Sequence, residues 1–271
     1  MVDVPLLSRF DFHAAMRRWQ VQPASVEVLS ALTAAQRERS VVLVQDAFTR
    51  YFEAPLLADL IELISRLGYQ VYLAPFSANG KPLHVQGFLS AFNRAALRNA
   101  GQLRALAEVG VSLVGLDPAM TLVYRQEYLK VPGMEKCPEV ALVQEWLLKV
   151  MPEQVGKRRD ETFRLLAHCT EKTNAPAATR QWEQVFERVG LKLATQATGC
   201  CGMSGTYGHE ARNRETSAVI YEQSWAKQIE APVEKGEALA TGYSCRSQVK
   251  RQADRQLRHP LQVVLETLRT A

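Results

Sequence analysis

Apolar positions along this chain fall into two patterns. Short unbroken runs, VVLVQ at 41–45, QVYLA at 70–74 and VSLVGL at 111–116, are brief and rich in β-branched residues. Between them lie PLLADLIELISRLG at 55–68 and a stretch of about 88–109, whose apolar residues recur every three or four positions. The first pattern predicts strands and the second amphipathic helices. Helical segments are expected earlier, near 11–20 and 25–38, and again from Pro118. The strands are apolar throughout rather than on every second residue, which predicts parallel strands buried on both faces by helices.

The second half repeats this order. FRLLAH (163–168) reads as a strand, TRQWEQVFERVG (179–190) as a helix and LKLAT (191–195) as a strand. A long helix of about 209–230, a strand EALAT (237–241) and a helix from Ser244 follow. A connector of roughly 130–160 carries the helical stretch ALVQEWLLKVM and charged turns. The expected fold is α/β: two tandem pseudo-symmetric repeats, each a small parallel sheet covered by helices. The expected segments are an N-terminal helical stretch (1–39), a first repeat (40–130), a connector (131–160) and a second repeat (161–271).

The likeness of the halves extends to single residues. LVQDA (43–47) lies over LLAHC (165–169), RLGYQVYLA (66–74) over RVGLKLA from Arg188, and SANGKP (77–82) over GCCGMS (199–204), always 122 residues apart. LDPAM (116–120) lies over TGYSC (241–245) at 125. A near-constant offset is a strong signal because each match constrains the others. The asymmetry carries the chemistry. Cys169, Cys200, Cys201 and Cys245 lie over Ala47, Ala78, Asn79 and Met120, while Gly68 and Gly80 match Gly190 and Gly202. The first half keeps the scaffold without the thiols.

Composition narrows the classes. At 271 residues, 47% hydrophobic and 23% charged, the chain suits a globular protein with a full core. No apolar run reaches the ~20 residues that span a bilayer, and the N-terminus has no secretory pattern, so a cytoplasmic protein is expected. The net charge of +5 is spread, with KRR at 157–159 and the stretch from Arg246 to Arg258 densest. Without interleaved aromatics or a recognisable module, these read as solvated helix faces, and no nucleic-acid partner is expected. No acid–base or nucleophile constellation stands out, so no catalytic residue is assigned on this chain.

Strand ends in an open parallel sheet gather ligands. Cys169 follows the strand FRLLAH, Cys200 and Cys201 stand in the glycine loop GCCGMSGTYG after LKLAT, and Cys245 follows EALAT at a helix start. Three strand ends thus bring four thiols to one sheet edge. Four thiolates suit zinc or an iron–sulfur cluster. Adjacent cysteines diverge, which is awkward for one tetrahedral zinc and natural for a cluster with separate irons. Gly202 and its neighbours leave N–H groups near cluster sulfurs, and helix N-termini before Cys245 and after Gly208 offset thiolate charge. Other readings remain: buried apolar cysteines, a thiol redox pair (though CxxC is absent), or a phosphate loop (though neither GxGxxG nor GxxxxGK[ST] is matched). His168 and His209 would be supporting donors, substitute ligands or caps, and Cys137 a linker residue.

The pattern HC…GCCGMSGTYG…GYSC resembles the cysteine-rich CCG domain family, which includes the heterodisulfide reductase B subunit and iron–sulfur subunits of glycerol-3-phosphate and glycolate or lactate oxidising systems. From about residue 40 onward, GCCGMSGTYGHEARN and ATGYSCRSQVKR look closer still to the C-terminal end of large bacterial FAD- and iron–sulfur-containing D-2-hydroxyglutarate dehydrogenases. The resemblance implies an electron-transfer module of a flavin-dependent 2-hydroxyacid dehydrogenase, with a [4Fe–4S] cluster on Cys169, Cys200, Cys201 and Cys245. The alternative is a zinc-stabilised interaction domain of the same kind of oxidoreductase. FAD and a ferredoxin-like segment are then expected on partner domains or subunits, because this chain has no FAD pattern and no CxxCxxC run. The family pattern ends in CxxC, whereas Gly242-Tyr243-Ser244-Cys245 keeps only the second cysteine. Paired non-cubane clusters use five cysteines, so a four-ligand centre fits this chain better.

Overall fold

The computed structural model describes residues 5–270. The chain divides into two compact units, one of Ser8–Trp146 and one built from Leu147 onward. In the first unit β1 (Gln22–Pro23), β2 (Ser40–Val44), β3 (Gln70–Leu73), β4 (Ser112–Gly115) and β5 (Val140–Leu142) form one parallel sheet in the order β1-β3-β2-β4-β5. In the second unit β6 (Thr162–Leu166), β7 (Lys192–Thr195) and β8 (Glu237–Ala240) form a parallel sheet in the order β7-β6-β8. The α/β class and the parallel, helix-covered sheets match the sequence reading.

Burial explains why these runs are strands. Every residue of β2 is buried, as parallel strands covered on both faces require. Val42 and Val44 join Phe92, Ala96, Ala100 and Leu103 of the helix Leu89–Ala107 in one core. Helix Ala54–Arg66 buries Leu56, Leu57, Leu60, Ile61, Leu63 and Ile64. Full burial of each such side chain stabilises by about 1.5–3 kcal/mol before chain entropy is counted. In the second unit, helix Ala178–Arg188 packs Trp182, Val185 and Phe186 inward, and helix Pro260–Thr270 adds Leu261, Val263 and Val264.

Three sequence expectations change. ALVQEWLLKVM is not all helix: Val140–Leu142 join the sheet as β5, and the helix runs Val143–Val150. Arg125 donates to the Val140 carbonyl at 2.7 and 3.1 Å, and Glu145 accepts the Leu142 N–H at 2.8 Å, which fixes the switch. The stretch 25–38 breaks into Val26–Ser30 and Ala34–Glu38 because Thr33 and Gln36 form a capping box that starts a new helix. The helix expected from about 209 begins at Arg214, after 3-10 turns at Tyr207–His209 and Ala211–Asn213, and ends at Ser224 before a further turn at Ala226–Ile229. Among the described residues no helix is long and apolar enough to cross a membrane.

Candidate metal centre

Each cysteine of the second unit leaves its strand at the carboxyl edge of the sheet. Cys169 is the first residue of helix Cys169–Asn174, three residues after β6 ends. Cys200 and Cys201 lie in the loop after β7, and Cys245 is the third residue of helix Tyr243–Ala253 after β8. The structure brings all four together: Cys200 lies beside Cys169 and Cys201, Cys201 beside Cys245, and Cys169 also feels Cys245. All are free thiols. Cys137 takes no part; it packs, half-buried, against the core of the first unit.

The cysteine loop is held by the elements around it. Ser224 Oγ accepts the Gly199 N–H at 3.1 Å, and Trp225 Nε1 donates to the Gly199 carbonyl at 3.1 Å. Gly202 has φ of +89° and lies so close to the next element that a Cβ would stand 2.2 Å from the Ser217 carbonyl. Only glycine meets both conditions. Ser217 Oγ donates to the Gly202 carbonyl at 2.8 Å, and Gln248 Nε2 donates to Ser217 Oγ at 3.0 Å. Cys201 and Cys245 sit in an apolar cluster with Leu166, Met203, Tyr221, Trp225 and Val249. Cys169 and Cys200 are half-buried, so the group has an outward pair and an inward pair of thiols.

This placement polarises the thiols. Cys200 is pushed down to about 2 because Cys169 and Cys201 both donate to its sulfur, with the Gly202 N–H adding a third donor at 3.3 Å. Cys169 and Cys201 are pushed up because each donates to Cys200 and is partly desolvated. Cys169 and Cys245 both lie in the first turn of a helix, where the peptide dipoles favour negative charge. The second helix start expected after Gly208 is replaced by the one at Cys169.

Sequence reasoning missed the polar network beside the thiols. His168 is buried and caps the helix of Cys169, its Nδ1 accepting the Thr170 N–H at 3.1 Å. That fixes the ring proton on Nε2, which lies 3.2 Å from Ser244 Oγ. The His168 N–H donates to Thr241 Oγ1 at 3.0 Å, and Thr241 Oγ1 donates to the buried Glu171 Oε2 at 2.5 Å. His209 Nε2 lies 3.3 Å from Ser247 Oγ rather than at a thiol. No spacing rule marks Glu171, Thr241, Ser217 or Gln248; only the fold brings them to this edge.

Donor chemistry and disposition constrain what would bind. Four soft sulfurs, glycine N–H groups and two helix N-termini suit a thiolate-ligated centre. Among the described residues, no group of three or more His, Cys, Asp or Glu side chains is disposed to hold a metal ion.

The chain matches no protein-family model. It is 69% identical over 266 residues to a D-2-hydroxyglutarate dehydrogenase of Pseudomonas putida, a match covering 98% of this chain and 26% of that protein. It is 44% identical over 271 residues to the D-2-hydroxyglutarate dehydrogenase of Escherichia coli, covering 99% of this chain and 26% of the relative. A more distant likeness, 24% over 273 residues, is to one of the subunits of the anaerobic glycerol-3-phosphate dehydrogenase of Escherichia coli, covering 97% of this chain and 65% of the relative. The chain therefore spans about a quarter of the length of the D-2-hydroxyglutarate dehydrogenases it is similar to.

Proposed function

We propose that this chain is the C-terminal electron-transfer module of a flavin-dependent D-2-hydroxyglutarate-type dehydrogenase, and that Cys169, Cys200, Cys201 and Cys245 ligate one [4Fe–4S] centre. The observation that carries the reading is the gathering of four thiols at three adjacent strand ends. The near-complete coverage of this chain by two D-2-hydroxyglutarate dehydrogenases supports the choice of enzyme. On this reading substrate oxidation and FAD belong to the remaining length of the polypeptide, together with a ferredoxin-like segment.

When bound, such a centre supplies reversible one-electron chemistry. The protein's own residues do the rest. Cys201 and Cys245 hold the buried side in an apolar cluster, which disfavours added charge on the centre. Gly202 and the helix starts at Cys169 and Tyr243 counter that with N–H dipoles. Half-buried Cys169 and Cys200 form the outward side, where a redox partner would exchange electrons.

We also infer that the two units are copies of one plan. β6 starts 122 residues after β2, β7 122 after β3, and β8 125 after β4, and the inner strand orders β3-β2-β4 and β7-β6-β8 correspond. Gly80 and Gly202 both adopt positive φ, +79° and +89°. Asp46 caps the helix after β2 as His168 caps the helix after β6. Anaerobic reduction of the chain by dithionite tests the electron-carrying reading. Reversible bleaching of visible absorbance with a paramagnetic reduced state is expected; a chain with no redox-active chromophore after iron and sulfide reconstitution would overturn it.

A further inference from the structure

Position 242 has no room for a side chain. A Cβ there would stand 2.3 Å from Cδ2 of His168, 2.9 Å from its Cγ and 3.2 Å from its Cβ. Gly242 has ordinary extended dihedrals, φ −90° and ψ 137°, so the requirement for glycine is spatial rather than conformational. The imidazole has a partner along each side. Nδ1 accepts the Thr170 N–H, Nε2 faces Ser244 Oγ, and the carbon edge meets Gly242. Its backbone N–H is tied to Thr241. Those partners belong to the chain segments flanking two thiols: Thr170 follows Cys169, and Gly242 and Ser244 precede Cys245. The adjacent strands β6 and β8 carry these segments, paired at Leu166 and Ala240.

We propose that His168 and Gly242 are a size-matched pair that sets the spacing of Cys169 from Cys245 and restricts the helix of Cys245 to a single ligand. His168 is thus a positioning residue for the thiol centre: its ring is the spacer between two strand ends, and Gly242 is the surface it rests on. This rests on the reading of the four thiols as ligands. Asp46 and Asp117 hold the corresponding places after β2 and β4, each capping a short helix, where no thiol needs spacing.

The test is a double-mutant cycle in the full chain with Gly242→Ala, His168→Asn and both together. Asparagine keeps an acceptor for the Thr170 N–H while vacating the ring edge, so helix capping survives. Two readouts are taken: the unfolding midpoint without metal, and bound iron, sulfide and zinc with the paramagnetic signature after anaerobic reconstitution. Gly242→Ala alone should lower the midpoint and reduce bound metal at least fivefold. In the His168→Asn background the same change should alter metal content less than twofold. His168→Asn alone should bind metal with a shifted signature or faster metal loss. Equal effects of Gly242→Ala in both backgrounds would overturn the pairing. An unshifted signature and unchanged metal-loss rate in His168→Asn would overturn the positioning role. If the chain holds zinc without sulfide, the electron-transfer reading fails while bound zinc still reads the cycle. A chain that binds neither overturns both.

Discussion

Ser217 Oγ donates to the Gly202 carbonyl at 2.8 Å, and the carbonyl of Ser217 lies 2.2 Å from where a Cβ on Gly202 would stand. Gly202 follows the adjacent cysteines directly, so this contact sets where Cys200 and Cys201 sit. Gly202→Ala combines a left-handed backbone, costing about 1–2 kcal/mol, with a backbone collision. We expect a loss of at least ~2 kcal/mol in urea unfolding and of most bound metal. Ser217→Ala removes only the hydrogen bonds and leaves the glycine room; it should cost ~1–3 kcal/mol with partial metal retention.

Asp46 gives a prediction independent of any metal. Its carboxyl is pushed up from 3.8 to about 7, first by burial and then by the Asp117 charge. A raised folded value means that the contribution to stability is fully present below about 4 and is lost as pH rises through about 7. The first unit should therefore lose ~2–4 kcal/mol between pH 4 and 8 from this group. Asp46→Asn, whose amide oxygen still accepts the Phe48 and Thr49 N–H groups that Asp46 caps, should flatten that profile. Unfolding midpoints measured across this range check it.

Cys200 titrates in the opposite sense. Its folded value is depressed to about 2 by the thiols of Cys169 and Cys201, so its contribution is lost as pH falls and grows toward the ordinary thiol range. Cys169 and Cys201, both raised, contribute below that range and lose the contribution above it. In the metal-free chain the stability advantage over Cys200→Ser should grow from pH 5 to pH 8. Iodoacetamide at pH 6 should label Cys200 ahead of Cys169 and Cys201, as peptide mapping would show. Labelling of Cys169 first would contradict this charge distribution.

Much of the fold was legible in the sequence because β2 is fully buried and β3, β4 and β6 are buried after their first residue, so these runs are largely apolar. VVLVQ has no other reading once helices flank it, and β2 spans Ser40–Val44. The gathering of the cysteines was legible for a topological reason: parallel strands end at one edge, and the four follow three neighbouring strands. Elements decided by single polar contacts were not legible. β5 depends on Arg125 and Glu145, which hold the first residues of an apparently helical stretch in the sheet. β1 has only two residues and no periodicity. The His168–Gly242 contact joins residues 74 apart in sequence, and only the fold places the ring on that glycine.

The central claim is that Cys169, Cys200, Cys201 and Cys245 together hold one iron–sulfur centre. Metal and acid-labile sulfide per chain, measured after anaerobic purification of the wild type and of Cys201→Ser, test it most directly. The account predicts about four iron and four sulfide per wild-type chain, the content of one [4Fe–4S] unit, with most of both lost in Cys201→Ser. One zinc per chain without sulfide, or unchanged iron in Cys201→Ser, would contradict it.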